Sequence, residues 1–172
     1  SATGLAAATD DKVVANVHYE EIQSLFGIHK FSFMEPRIGP HPDFAHLQHN
    51  QYLNHYAVSM FLDIKGSTKL SQKYDLLQIR QIKDTILSMA IQACSFFGGH
   101  IQRLQGDAIF VYFVRKDMHH LDAIINSINA ASLLAFFMEY KLPQFFKKDD
   151  IEAPKVRIGI DYGDESKTLW SY

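Results

Sequence analysis

Ala57-Val58-Ser59-Met60-Phe61-Leu62-Asp63-Ile64-Lys65-Gly66-Ser67-Thr68 is the stretch on which the fold turns. Ala57 to Leu62 is a short apolar run with an abrupt polar end, the pattern of a buried strand. Asp63 to Thr68 supplies turn and helix-capping residue types. Leu76, Ile79, Ile82, Ile86, Met89, Ala93 and Phe97 then recur at three- and four-residue steps, which predicts a long amphipathic helix. Gly98-Gly99 stops it. His100 to Gln105 and Ala108 to Val114 read as two strands joined by a tight turn at Gly106-Asp107. Met118 to Tyr140 reads as a second helix, ended near Pro143, and Lys155 to Tyr162 as a last strand. Strand, helix, strand, strand, helix, strand is the order of an α+β, ferredoxin-like βαββαβ sandwich. In that topology the first strand and the hairpin lie side by side, which brings Asp63 close to Asp107.

Upstream, residues 1–12 are small and polar, and Val13 to Phe26 has the composition of a short helix. Gly27 to Asn50 carries Pro36, Pro40 and Pro42, a density that breaks regular structure. The expected organisation is therefore an irregular arm over 1–50 and one folded domain over 51–172. At 172 residues with 47% hydrophobic and 21% charged side chains, there is material for one real core and no case for wholesale disorder. A formal charge of -2 gives no global basic field for nucleic acid or a membrane surface. The single Cys94 excludes an internal disulfide framework. The richest apolar stretch, Ala130 to Met138, is about half the roughly 20 residues a spanning helix needs, and no signal peptide is visible. The expectation is a cytoplasmic protein with neither nucleic acid nor membrane as partner.

Two carboxylates brought together without a basic partner repel one another. A hard divalent cation, Mg²⁺ or Mn²⁺, resolves that repulsion and also takes phosphate oxygens. Between them, Ile64 to Thr68 opens a helix with Gly66 at a point of close approach, and free N–H groups at a helix start bind anions. Asp63 alone is equally an N-cap, and Asp107 alone an ordinary turn aspartate. Their placement at one sheet edge is what favours a polyphosphate site. The nine histidines show no zinc signature, and those of the arm (His41, His46, His49) fit a solvated or interface segment.

Phe61 to Thr68 resembles the first-strand motif of the class III nucleotide cyclases. The resemblance continues through Gly98-Gly99, then Arg103-Leu104-Gln105-Gly106-Asp107-Ala108, then Val156-Arg157-Ile158-Gly159-Ile160, and covers about 56–162. It implies a cyclase homology domain acting as a homodimer with shared active sites. The implied reaction turns a nucleoside triphosphate into a 3′,5′-cyclic monophosphate and pyrophosphate. It implies two divalent cations held by Asp63, Asp107 and the Ile64 carbonyl, with Lys65, Gly66, Ser67 and Thr68 at the phosphates. Arg103, four residues before Asp107, stands where the family's purine cyclases carry a base-selecting lysine or glutamate. An arginine fork suits carbonyl acceptors, and Tyr162 offers an aromatic near the base. The general look resembles the pyrimidine cyclases of the bacterial Pycsar antiphage system, and the two carbonyls of uracil point to UTP and cUMP. The family's transition-state asparagine and arginine lie beyond the fourth strand. No Asn-x-x-x-Arg occurs over 163–172, so the C-terminal part of the family domain is expected to be missing. The alternatives are an adenylyl or guanylyl cyclase, or a catalytically silent nucleotide-binding module.

Overall fold

The computed structural model describes residues 37–171, so the helix expected over 13–26 lies outside the described residues. Strand β1 (Tyr52–Asn54) is followed by β2 (Ala57–Ile64). β2 is buried on one face only: Val58, Met60, Leu62 and Ile64 point into the core, while Phe61 is exposed. A fully buried strand was expected from the apolar run. The period of two in side-chain direction decides otherwise, because only one sheet face is covered by helices.

After β2 the chain makes one 3₁₀ turn (Ser67–Lys69) and a single α-turn, α1 (Leu70–Lys73). It then straightens at Tyr74. The long helix α2 (Leu76–Phe96) begins afresh with its own capping box, in which the Asp75 side chain accepts from the Gln78 N–H at 2.8 Å and Gln78 returns the bond. The long helix thus does not open at Gly66, as the sequence suggested. α2 ends in a Schellman motif: Gly99 N–H donates to the Cys94 carbonyl at 2.8 Å, and Gly98, with φ of +80°, donates to Ser95.

Strands β3 (His100–Gln105) and β4 (Ala108–Tyr112) form the expected hairpin, followed by α3 (His120–Tyr140) and α4 (Leu142–Lys147). The long helix ends at Tyr140, near Pro143 as expected. The break falls at Lys141, and Pro143 sits in the first turn of α4, where a missing N–H has no partner to lose. β5 (Val156–Gly163) and β6 (Leu169–Ser171) complete the chain.

The main sheet has the order β3-β4-β2-β5, with every neighbouring pair antiparallel, which is the ferredoxin-like arrangement expected. β1 and β6 form a separate two-stranded sheet that periodicity did not announce. One face of the main sheet packs on α2 and α3 through Met60, Leu62, Ile109 and Val111 against Ile86, Met89, Ala130 and Leu134. The other face is left open by both long helices, apart from its far end, where Tyr112 meets the Trp170 ring of β6 at 4.9 Å. By length and composition the run His120–Lys147 is long and apolar enough to cross a membrane, contrary to the sequence expectation. In the fold, its stripe Ala123, Ser127, Ala130, Leu134 and Phe137 lies in the core.

The described part of the arm, residues 37–50, is integral to this core. His41, Phe44 and Leu47 are buried, and Phe44 stacks on Trp170 with ring centroids 4.0 Å apart. A solvated or interface segment is the expectation for these histidines; His41 is instead buried within the domain.

Candidate active site

The open face of the sheet is set by strand parity. On β2 the outward residues are Ala57, Ser59, Phe61 and Asp63, since their neighbours are the buried ones. The register places Asp63 opposite Ala108 of β4 and Phe61 opposite Phe110. The hairpin turn is Gly106-Asp107, with Gly106 at φ of +61° in the first central position, the conformation a two-residue hairpin asks of glycine. Asp107 therefore sits one residue from the partner of Asp63, and the two carboxylate-bearing residues share one end of the sheet.

The expectation of a carboxylate pair without a cation nearby does not hold. Arg157 on β5 lies directly opposite Asp63. Its Nε and Nη2 donate to the two oxygens of the Asp63 carboxylate at 2.9 and 2.6 Å, a bidentate ion pair. The carboxylate raises the guanidinium's pKa above its ordinary value, chiefly through this hydrogen bond. Side-chain exposure is 67% for Arg157 and 16% for Asp63, so the aspartate is held by the fold and the arginine lies over it.

The turn after Asp63 keeps some of its expected donors. Lys65 N–H donates to the Lys155 carbonyl at 2.7 Å and is thereby committed. The Ile64 side chain is buried on the helix side, which leaves only its backbone for any site role. Gly66 adopts φ 70°, ψ 25° and caps the 3₁₀ turn without a side-chain bond. The first N–H groups of such a turn, Gly66 to Thr68, have no partner within it. Lys65, Gly66 and Thr68 are exposed, and Ser67 is half-buried.

Arg103 is brought to the same face. A bulge between Ile101 and Arg103 shifts the β3 register so that Arg103 opposes Phe110, and its guanidinium lies 5.5 Å from the Phe110 ring centroid. Phe110 in turn meets Phe61 edge-on at 6.2 Å. Tyr162 is not brought there. It pairs with the buried Val58 and so lies on the helix-covered side, its ring stacked on His120 at 5.8 Å. Its proposed place beside a base on the open face is corrected accordingly. The sequence reading passed over Arg157 and Phe110, although both stand at outward positions of quoted or adjacent strands. Among the described residues no group of three His, Cys, Asp or Glu side chains gathers as a metal site, so a cation here would rest on the two aspartates and on other oxygens.

No family model matches the chain. Its structure superposes on the adenylyl cyclase CyaB from P. aeruginosa with a TM-score of 0.60 and 20% identity, over 66% of this chain and 58% of that one. The guanylyl cyclase Cya2 gives 0.59 and 16%, over 67% and 57%. The fold is that of the class III nucleotide cyclases. Sequence similarity to this cyclase group is higher still. A cytidylate cyclase of Staphylococcus aureus is 48% identical over 153 residues, 88% of this chain and 36% of that protein. A cytidylate cyclase of Escherichia coli is 39% identical over 142 residues, 79% of this chain and 30% of its own length. The chain thus spans about a third of the length of these curated relatives. Asp63, Arg157 and Arg103 stand on the open face of this fold, and Asp107 stands in the hairpin turn at the same end of the sheet.

Proposed function

We propose that this cyclase domain belongs to a metal-dependent pyrimidine nucleotide cyclase that makes a 3′,5′-cyclic monophosphate and pyrophosphate. The reading rests above all on Asp63 and Asp107, which the β2–β4 register brings to one end of the sheet. Two carboxylates there, each accessible from solvent, form a hard-oxygen set that suits Mg²⁺ or Mn²⁺. Asp63, Asp107 and the Ile64 carbonyl would hold the cations, which supply Lewis-acid polarisation of the ribose 3′-hydroxyl and of the phosphates. In the reaction the 3′-oxygen forms its bond to the α-phosphorus, the bond from that phosphorus to the bridging oxygen breaks, and pyrophosphate leaves with those electrons. The hydroxyl proton passes to solvent. The chain's own part is to place charge and donors: the N–H groups of Gly66, Ser67 and Thr68 toward the phosphates, and the freed Arg157 guanidinium beside them.

The base preference follows from Arg103. Two parallel N–H groups match two neighbouring acceptors, which cytosine offers in O2 and N3. Uracil offers two carbonyls separated by an N–H, a looser match to one fork. The relatives carry the name cytidylate cyclase, which supports CTP as the first substrate. UTP, put first by counting carbonyls alone, is the second reading. A homodimer with shared sites, residence in the cytoplasm and a second-messenger role in antiphage defence complete the proposal.

The test is to incubate the protein with each of the four nucleoside triphosphates and Mn²⁺, and to separate the products. Cyclic CMP as the main product, abolished in Asp63→Asn and Asp107→Asn, is the expected result. Cyclic UMP would select the second reading, and a purine product would overturn the pyrimidine assignment. Turnover that survives in both variants would overturn the role of the aspartates.

A further inference from the structure

We infer that residues 37–50 form a pH-sensitive latch on the domain, closed while His41 is neutral and released when it takes up a proton. His41 is 6% exposed. Its Nε2 lies 2.8 Å from the Val114 carbonyl. A carbonyl only accepts, so Nε2 carries the hydrogen. Its Nδ1 accepts the Asp43 N–H at 3.1 Å and so presents its lone pair. Both ring nitrogens are therefore committed to one neutral tautomer, assigned from the partners. A second proton can enter only at Nδ1. It would break the bond from Asp43 N–H and leave two donors facing each other.

The surroundings oppose that proton from several elements. From β3, the His100 ring stands edge-on with its centroid 5.0 Å away, and its Nε2 donates to the Gly39 carbonyl at 2.7 Å. From the stretch after β4, Arg115 adds a positive charge. From β6, the uncharged Trp170 ring lies 6.2 Å off. Two groups favour protonation: Asp43 in the segment itself, whose carboxylate already accepts the Lys116 N–H at 2.9 Å, and the Val114 carbonyl through its hydrogen bond. Burial first, and His100 second, hold His41 below the ordinary imidazole value of 6.5.

The sign follows. In the released segment the imidazole titrates near 6.5; in the docked one, lower. Docking is complete above pH 6.5 and weakens as pH falls below it, by up to about tenfold per pH unit until the docked imidazole itself takes a proton. Release would undo the Gly39 N–H bond to the Ile101 carbonyl at the β3 edge and lift Phe44 from Trp170.

Trp170 is the chain's one tryptophan and reports the stack directly. Emission of Trp170 and amide exchange of residues 37–50 are followed from about pH 7.5 to about 5 on the whole chain, the range in which histidine changes charge. The expected result is a red shift and faster exchange over 37–50 below pH 6.5, with exchange in β2 and α2 unchanged. His41→Gln, which keeps a donor for Val114 and does not titrate, should flatten both curves. No transition in the wild type, the same transition in His41→Gln, or loss of protection in β2 and α2 together with the segment would each overturn the latch. Should His41→Gln fail to dock at neutral pH, nitrogen NMR of wild-type His41 decides. Loss of its Nε2–H tautomer in step with the exchange supports the latch, and titration at a different pH overturns it.

Discussion

At the level of single residues, the decisive contact is Arg157 on Asp63. A guanidinium that occupies both oxygens of a carboxylate competes with any cation for them, and it stays charged at every working pH. Because Arg157 is largely exposed, solvent screens the pair and it contributes little to folding. Arg157→Gln is therefore expected to leave the urea unfolding midpoint nearly unchanged while raising Mn²⁺ affinity severalfold in the absence of nucleotide. Titration of free Mn²⁺ by electron paramagnetic resonance measures this, and a lowered affinity would show that Arg157 organises the site rather than blocks it. This residue also marks how far the site was legible. Asp63 at a strand end, Gly66 and Asp107 in turns declare themselves by residue type and local pattern. Arg157 acquires its role only from cross-strand register, which local sequence does not carry. Tyr162 was readable and misread. It lies five residues from Arg157, and an odd step along a strand lands on the opposite face.

Among the elements, the end of α2 separates two kinds of glycine. Gly98 has φ of +80° but open space, the nearest atom to an added Cβ being Arg115 Nη2 at 3.9 Å. Gly98→Ala should cost about 1 kcal/mol, the price of a left-handed residue. Gly99 has no such backbone demand, yet an added Cβ would meet the Cys94 carbonyl oxygen and Val111 Cγ1 at 2.8 Å and Phe113 Cε1 at 2.9 Å. Backbone cannot yield there, so Gly99→Ala should cost about 1–3 kcal/mol by urea denaturation, more than its neighbour. Equal losses at both sites would mean the strand moves to accommodate the methyl group. On the same helix, Gln92 is buried with neither amide atom bonded to the protein. Gln92→Leu should therefore stabilise the domain by about 1–3 kcal/mol, and a lowered midpoint in the same assay would reveal a partner for the amide. These elements show why the fold was legible in outline. The periodicities of α2 and α3 and the Gly-Asp hairpin are local signals. The β1–β6 pairing and the straightening at Tyr74, whose hydroxyl accepts the Glu152 N–H, depend on partners far away in the chain.

For the molecule as a whole, one core runs from the described arm through the sheet to both long helices, and Cys94 sits inside it. The thiol lies 3.8 Å from Met60 Sδ as a donor, and burial pushes its pKa from 9.0 up to about 12. This makes a single side chain a reporter of global opening. In the unfolded chain the thiol ionises near pH 9, whereas the folded domain keeps the proton to about 12. The contribution is fully present below pH 9 and is lost as pH rises through that window. The unfolding free energy should then fall with a slope of about 1.4 kcal/mol per pH unit from this group alone. Cys94→Ala removes that slope and loses a buried sulfur, so its stability should be lower at neutral pH and less steep above pH 9. Urea melts of both proteins across the alkaline range measure the difference, with tyrosine and lysine titrations common to both. The same burial predicts that a thiol reagent at about pH 8 labels Cys94 only through unfolding, because the nucleophile is the thiolate. Its rate should fall with any stabilising substitution, Gln92→Leu included. Rapid labelling in the native state would mean that α2 opens locally around Cys94, without global unfolding.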